Sequence, residues 1–243
     1  MNLFGAVRFY KAARAAGVKP ILGCDVWISN ETDRDHPHRL LLLVTSPQGY
    51  LNLCELISRG WLQNAYRGRG ELRAQWFTPQ ATQGLIALSG AMTGEVGTAL
   101  LAGQHAAAQA AAQRLAQAFP QRFYIELQRV GFANEKLYEH AALTLALELK
   151  LPVVATHPVQ FIAPEDFRAH EARVCIAEGY TLADTRRPKH FNAQQYFLTQ
   201  AQMAEREGEQ HSATERAREH EAPAAPLDHP RRGLEQQECH EQR

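Results

Sequence analysis

The residues best able to do chemistry are scattered along the chain. Four cysteines, Cys24, Cys54, Cys175 and Cys239, could offer thiolates, but metal or redox thiols usually come as CxxC pairs and none is present. The spacing predicts reduced thiols, with the first three serving as small buried hydrophobes. Among the histidines, His211, His220, His229 and His240 fall in a polar stretch without partners at ligand spacing. Three arginines in RGRGELRA, Arg67, Arg69 and Arg73, could touch phosphates, although arginines in such a loop are expected to be solvated. Any site must therefore be assembled by the fold.

Composition narrows what that fold can be. The 243 residues carry 26 basic and 26 acidic side chains, so no bulk charge draws the chain to nucleic acid. This leaves open a place within a larger nucleic-acid enzyme. No signal peptide or apolar run of membrane-spanning length occurs. The expectation is a cytoplasmic chain with no membrane partner.

The elements that must position a site alternate in type. In residues 2–28, Leu3, Ala6, Val7, Tyr10 and Ala13 recur at helical spacing. Gly17 and Pro20 then mark a stop, and an apolar run of strand length follows. The segment begins at the helix, without the strand that normally leads into one in a βα protein. Residues 40–44, 85–88, 122–128 and 151–156 read as further strands. Helices are expected with faces built from Leu53, Leu56, Ile57, Gly60 and Trp61, over 104–118, along Leu137, Ala141, Leu145 and Leu149, and over 164–178. Such alternation predicts an α/β protein with a mostly parallel sheet or a barrel.

Composition changes sharply near Met203. Beyond it Leu227 and Leu234 are the only large aliphatic residues and aromatic residues are lacking. A segment unable to bury apolar surface cannot offset its ordering entropy, so residues 204–243 are expected to be a disordered polar tail. A reading-frame change near Arg206 would explain the sharpness of the loss, as would a divergent linker.

Six blocks in one order now carry a resemblance: NLFGAVRFYKAARAAGVKPILGCDVWI, QGYLNLCELISRGWL, GLIALSGAMTGEV, FYIELQRVG, LPVVATHPVQFIAPEDFRAHEARVCIAEGYTLAD and QQYFLTQAQMAE. Together they are similar to the N-terminal PHP (polymerase and histidinol phosphatase) domain of bacterial DNA polymerase III alpha subunits. The resemblance covers about residues 2–205 and implies two regions, a PHP domain over 1–203 and the tail over 204–243. It implies an incomplete PHP-type (β/α)7-like barrel, because the family places an HxH strand and a strand ending in Thr-Asp-His-Gly ahead of the opening block. Exposed sheet edges in such a barrel would favour aggregation.

The resemblance also implies where metal ligands would stand. Working PHP sites gather histidines, carboxylates and sometimes a cysteine around two or three ions that make hydroxide and clamp a phosphate ester. Asp25 occupies the usual Glu position. His38 lies beside a strand position often held by a ligand histidine, with Arg39 in register there. Ala91 replaces Cys, Val130 replaces His, and Pro158 and Gln160 replace the Asp and His of an ATNDVHY-like motif. His157 is the one new ligand candidate, although a satisfied polar residue at a barrel mouth is the plainer reading. His170 is expected to pack or cap. The expectation is a degenerate site with Asp25, His38 and His157 as remnants, without catalytic residues, and a chain needing no cofactor.

In the family the alpha subunit polymerises DNA with magnesium held by palm aspartates, and those segments are absent from these residues. The implied role is a scaffold that buttresses the rest of the alpha subunit and receives the proofreading exonuclease subunit. DNA would be reached only through the full-length parent. The alternatives are an independent PHP-family metal-dependent phosphoesterase and a stand-alone interaction protein.

Overall fold

The computed structural model describes residues 1–206, so the expected frame change beyond Arg206, the four tail histidines and nearly all of the expected tail lie outside the described residues. One compact unit runs from Met1 to Phe197, and a second begins at Leu198. In chain order the first unit contains α1 (Ala6–Ala15), β1 (Gly23–Ile28), β2 (His38–Val44), α2 (Pro47–Gln63), β3 (Ala65–Tyr66), β4 (Arg69–Gly70) and β5 (Leu85–Leu88). It continues with α3 (Glu95–Leu101), α4 (His105–Ala118), β6 (Phe123–Gln128), α5 (Glu135–Leu149), β7 (Val153–Thr156) and α6 (Phe167–Glu178).

The sheet is mixed, in the order β1-β2-β5-β6-β7. β5, β6 and β7 are parallel, as expected, but β2 runs antiparallel to both β1 and β5. The expectation of a mostly parallel sheet therefore fails on its β1–β2–β5 side. An apolar run such as LLLLV encodes burial but no direction. The polar stretch between β1 and β2 is long enough to return the chain but carries no crossover helix, which leaves the antiparallel pairing as the available one.

Alternation along the strands separates two faces. Cys24, Val26 and Ile28 of β1, Leu40 and Leu42 of β2, and Phe123, Ile125 and Leu127 of β6 are buried in one core with side chains from α2, α3, α4 and α5. Each such large aliphatic contributes about 1.5–3 kcal/mol when fully buried. Asp25, Arg39, Glu126 and Gln128 belong to the opposite set of positions.

Local chemistry explains the helix ends. Ser46 accepts a hydrogen bond from the Gly49 amide (3.1 Å) and Pro47 opens α2, a favourable N-terminal pair. At the end of α1, Gly17 takes φ +75°, its amide bonds to Arg14 and the Val18 amide to Ala13. That is the pattern of a Schellman stop, which glycine adopts without a steric penalty.

Several expectations need correction. The expected apolar stripe of α1 is uncovered, since no residue of the helix is buried. On α2, Leu53, Leu56, Ile57 and Gly60 are buried, but Trp61 is half exposed and its indole donates to the Met1 carbonyl (3.0 Å). The buried face of α5 is Tyr138, Ala142, Leu145 and Ala146 rather than the stripe through the exposed Leu137. α3 was not foreseen, because its short stretch between glycines shows little periodicity. The arginine segment is a small hairpin, β3 and β4, turned by Arg67 and Gly68 with positive φ. Its arginines are paired: Arg67 with Asp35 (2.8 Å), Arg69 with the fully buried Glu71 (2.9 Å), and Arg73 beside the Trp76 ring.

Candidate functional site

A polar network crosses the sheet near the carboxyl ends of β1, β5, β6 and β7, the end at which parallel βα proteins commonly hold their sites. Asp25 stands mid-strand on β1. Arg39, at the start of β2, is one pairing position away on the same face, and its Nε donates to Asp25 Oδ1 at 2.6 Å. Its Nη1 donates to Oε2 of Glu126 on β6 at 3.2 Å. One guanidinium thus joins carboxylates on two strands that are not neighbours.

Glu126 is the centre of the network and was not singled out from the sequence. Its side chain has no exposure to solvent. Oε2 also accepts from the Gly90 amide (3.0 Å), while Oε1 accepts from Thr156 Oγ1 (2.6 Å) and Gln128 Nε2 (3.0 Å). An ionised carboxylate offers about four lone-pair positions, so these donors fill them. The backbone is fixed as well: the Glu126 amide donates to Ser89 Oγ (2.9 Å), and the Tyr138 hydroxyl donates to the Glu126 carbonyl (2.7 Å). Burial pushes the Tyr138 hydroxyl far above its ordinary range, with the Ser89 hydrogen bond opposing and Glu126 adding to the shift. The hydroxyl therefore acts as a fixed donor. The signal for Glu126 lay in FYIELQ, where strand alternation puts Tyr124, Glu126 and Gln128 on one face of an otherwise apolar run.

The remaining candidates do not gather around this centre. His38 is on the other face of β2, with Nδ1 3.3 Å from Thr98 Oγ1 of α3. Burial lowers its pKa; Glu95 opposes that shift and Arg114 adds to it. There it lines a cavity of about 1030 Å³ with His36, Arg73, Glu95 and Arg114. The charges of that cavity are matched internally, Arg114 with Glu95 and His36 with Asp33. His157 follows β7 directly, with Nε2 enclosed and its carbonyl accepting from the Val159 amide (2.9 Å). His170 sits between the rings of Phe161 and Phe191, 5.5 and 4.7 Å from their centroids. Of the cysteines, Cys24 and Cys175 are buried and Cys54 is half-buried; burial raises the Cys24 pKa, away from a reactive thiolate.

The PHP domain family matches residues 1–130, more than half of the chain. The chain belongs to the PHP domain family. It is 47% identical over 204 residues to the DNA polymerase III subunit alpha of Pseudomonas aeruginosa, covering 84% of this chain and 17% of that protein. The corresponding subunit of Neisseria meningitidis serogroup A is 47% identical over 210 residues, and that of Escherichia coli K12 is 40% identical over 204. The chain thus spans under a fifth of the length of these relatives.

A PHP fold raises the question of a metal. The donors present do not fit one: among the described residues no three His, Cys, Asp or Glu side chains are grouped to hold an ion. Asp25 faces a guanidinium, the acceptor positions of Glu126 are filled, and His38 is on the opposite face. Ala91 and Val130 are buried apolar residues. The Val130 amide is taken by Glu135 (3.0 Å), and the Pro158 carbonyl accepts from Gln195 (3.2 Å).

Proposed function

We propose that this PHP chain is part of a DNA polymerase III alpha subunit and serves there as a scaffold and docking module, without hydrolytic chemistry of its own. The observation that carries the reading is the 47% identity to the Pseudomonas aeruginosa subunit across 84% of the chain. Residues 1–203 form the module in this reading. DNA polymerisation, with its magnesium-dependent palm aspartates, belongs to the rest of such a subunit, through which DNA would be reached. The proofreading exonuclease subunit is the proposed docking partner and the cytoplasm the proposed compartment.

An independent PHP phosphoesterase would need carboxylates open to two or more ions. The pairing of Asp25 and Glu126 with Arg39 counts against it. The discriminating experiment mixes the purified 243-residue chain with the exonuclease subunit on a sizing column. In parallel it assays primer extension and p-nitrophenyl phosphate hydrolysis with manganese or zinc. Co-elution with neither activity is expected. Manganese-dependent hydrolysis abolished by Asp25→Asn would establish the phosphoesterase instead, and a folded chain that elutes apart from the exonuclease would overturn the docking role.

A further inference from the structure

We propose that Arg39 is a built-in cation that takes the place of a divalent metal in this PHP fold, making Asp25 and Glu126 strand clamps rather than metal ligands. The inference rests on PHP membership and the network geometry, and is independent of the docking role.

Three observations carry it. First, the guanidinium addresses each carboxylate through a different nitrogen, Nε to Asp25 (2.6 Å) and Nη1 to Glu126 (3.2 Å). A cation bridging two carboxylates from separate strands is the task an ion would perform in the same place. Second, the carboxylate at the centre is wholly buried and Arg39 itself is only 18% exposed. A buried carboxylate without a cation or a full set of donors is strongly disfavoured, and one whose acceptor positions are already filled has none left for an ion. Third, the rest of the cage is neutral: Gly90, Gln128 and Thr156 donate hydrogen bonds, which suit a fixed carboxylate and add no metal ligand charge. Asp25, with its side chain 56% exposed, leaves its remaining charge to solvent.

An ordinary ion pair would have the same distances, so the distinguishing property is replaceability by a real ion. The test uses the 243-residue chain, with thermal melts in EDTA or MnCl2 and free manganese measured by electron paramagnetic resonance. The variants are Arg39→Met, which keeps the volume, Arg39→Lys, which keeps a point charge, and Arg39→Met/Glu126→Gln. The wild type is expected to melt identically in EDTA and manganese and to bind none. Arg39→Met is expected to lose roughly 6–12 °C, as when one partner of a buried pair is removed from a domain of this size. Manganese should restore much of that loss with one ion bound per chain, and should do nothing for the double variant. Arg39→Lys should fall between wild type and Arg39→Met.

Manganese binding by the wild type, a melt of Arg39→Met equal to wild type, or equal manganese shifts in Arg39→Met and the double variant would each overturn the proposal. Where Arg39→Met does not fold in EDTA, recovery of a cooperative melt in manganese supports the proposal, and no recovery overturns it.

Discussion

Glu126 shows how much one residue can organise. A carboxylate without solvent exposure must find all its partners within the protein, and here they come from four separate segments: Arg39, Gly90, Gln128 and Thr156. Glu126→Gln keeps the shape but replaces one acceptor oxygen with a donor NH2, which then faces other donors whichever way the amide is turned. The expected cost is about 2 kcal/mol, read as a lower midpoint in urea unfolding. Two histidines give the molecule a pH dependence of known sign. Burial holds both His38 and His170 below their ordinary pKa, and for His170 the Arg173 guanidinium adds to the shift while Glu171 opposes it. In the window below the ordinary value of about 6.5, the unfolded chain binds protons that the folded chain refuses. Their contribution to stability is therefore intact above that value and lost as pH falls through the folded pKa values. The melting temperature should decrease from about pH 7 to pH 5, and His170→Gln should flatten the decrease.

At the level of elements, the connection after β5 is the tightest part of the site. Gly90 takes φ +83°, and a Cβ added there would lie 2.1 Å from the Arg39 carbonyl oxygen. Its amide also holds Glu126, so backbone strain and the carboxylate cage meet at one residue. Gly90→Ala should destabilise the fold by about 3 kcal/mol or more, since it adds strain at positive φ to a backbone clash. A urea titration against wild type checks this. Ala91, next in the chain, also adopts positive φ (49°) and opens a single 3-10 turn.

Much of this level was legible in the sequence. Alternation of apolar runs located β1, β2, β5, β6 and β7, and alanine richness located α4. The reversed direction of β2 was not legible, because burial patterns are the same in either direction. The site was legible in part: Asp25 and the register of Arg39 could be placed, but their pairing with Glu126 joins residues 87 positions apart, and no local pattern encodes such a contact. The hairpin arginines were misread for the same reason, since Glu71 lies beside Arg69 in sequence but Arg34, which also reaches it, does not.

At the scale of the molecule, the described sheet has one face committed to a hydrophobic core and another carrying a charged tie. The tie spans the join between the two modes of strand pairing, antiparallel on one side and parallel on the other. The β5–β6 pairing across that join is short, with Ala87 opposite Phe123 and Leu88 opposite Tyr124. Left to its backbone pairing, this seam would be a natural line for the sheet to part. Because Arg39 reaches past the end of β5 to Glu126, opening the seam must also break a buried ion pair. Amide hydrogen exchange should therefore show β2 and β6 opening as one cooperative unit in the wild type, and as two units of different protection in Arg39→Met. A side chain that does no chemistry thus sets how the sheet breathes, and whether strain applied at its first strand is felt at its last.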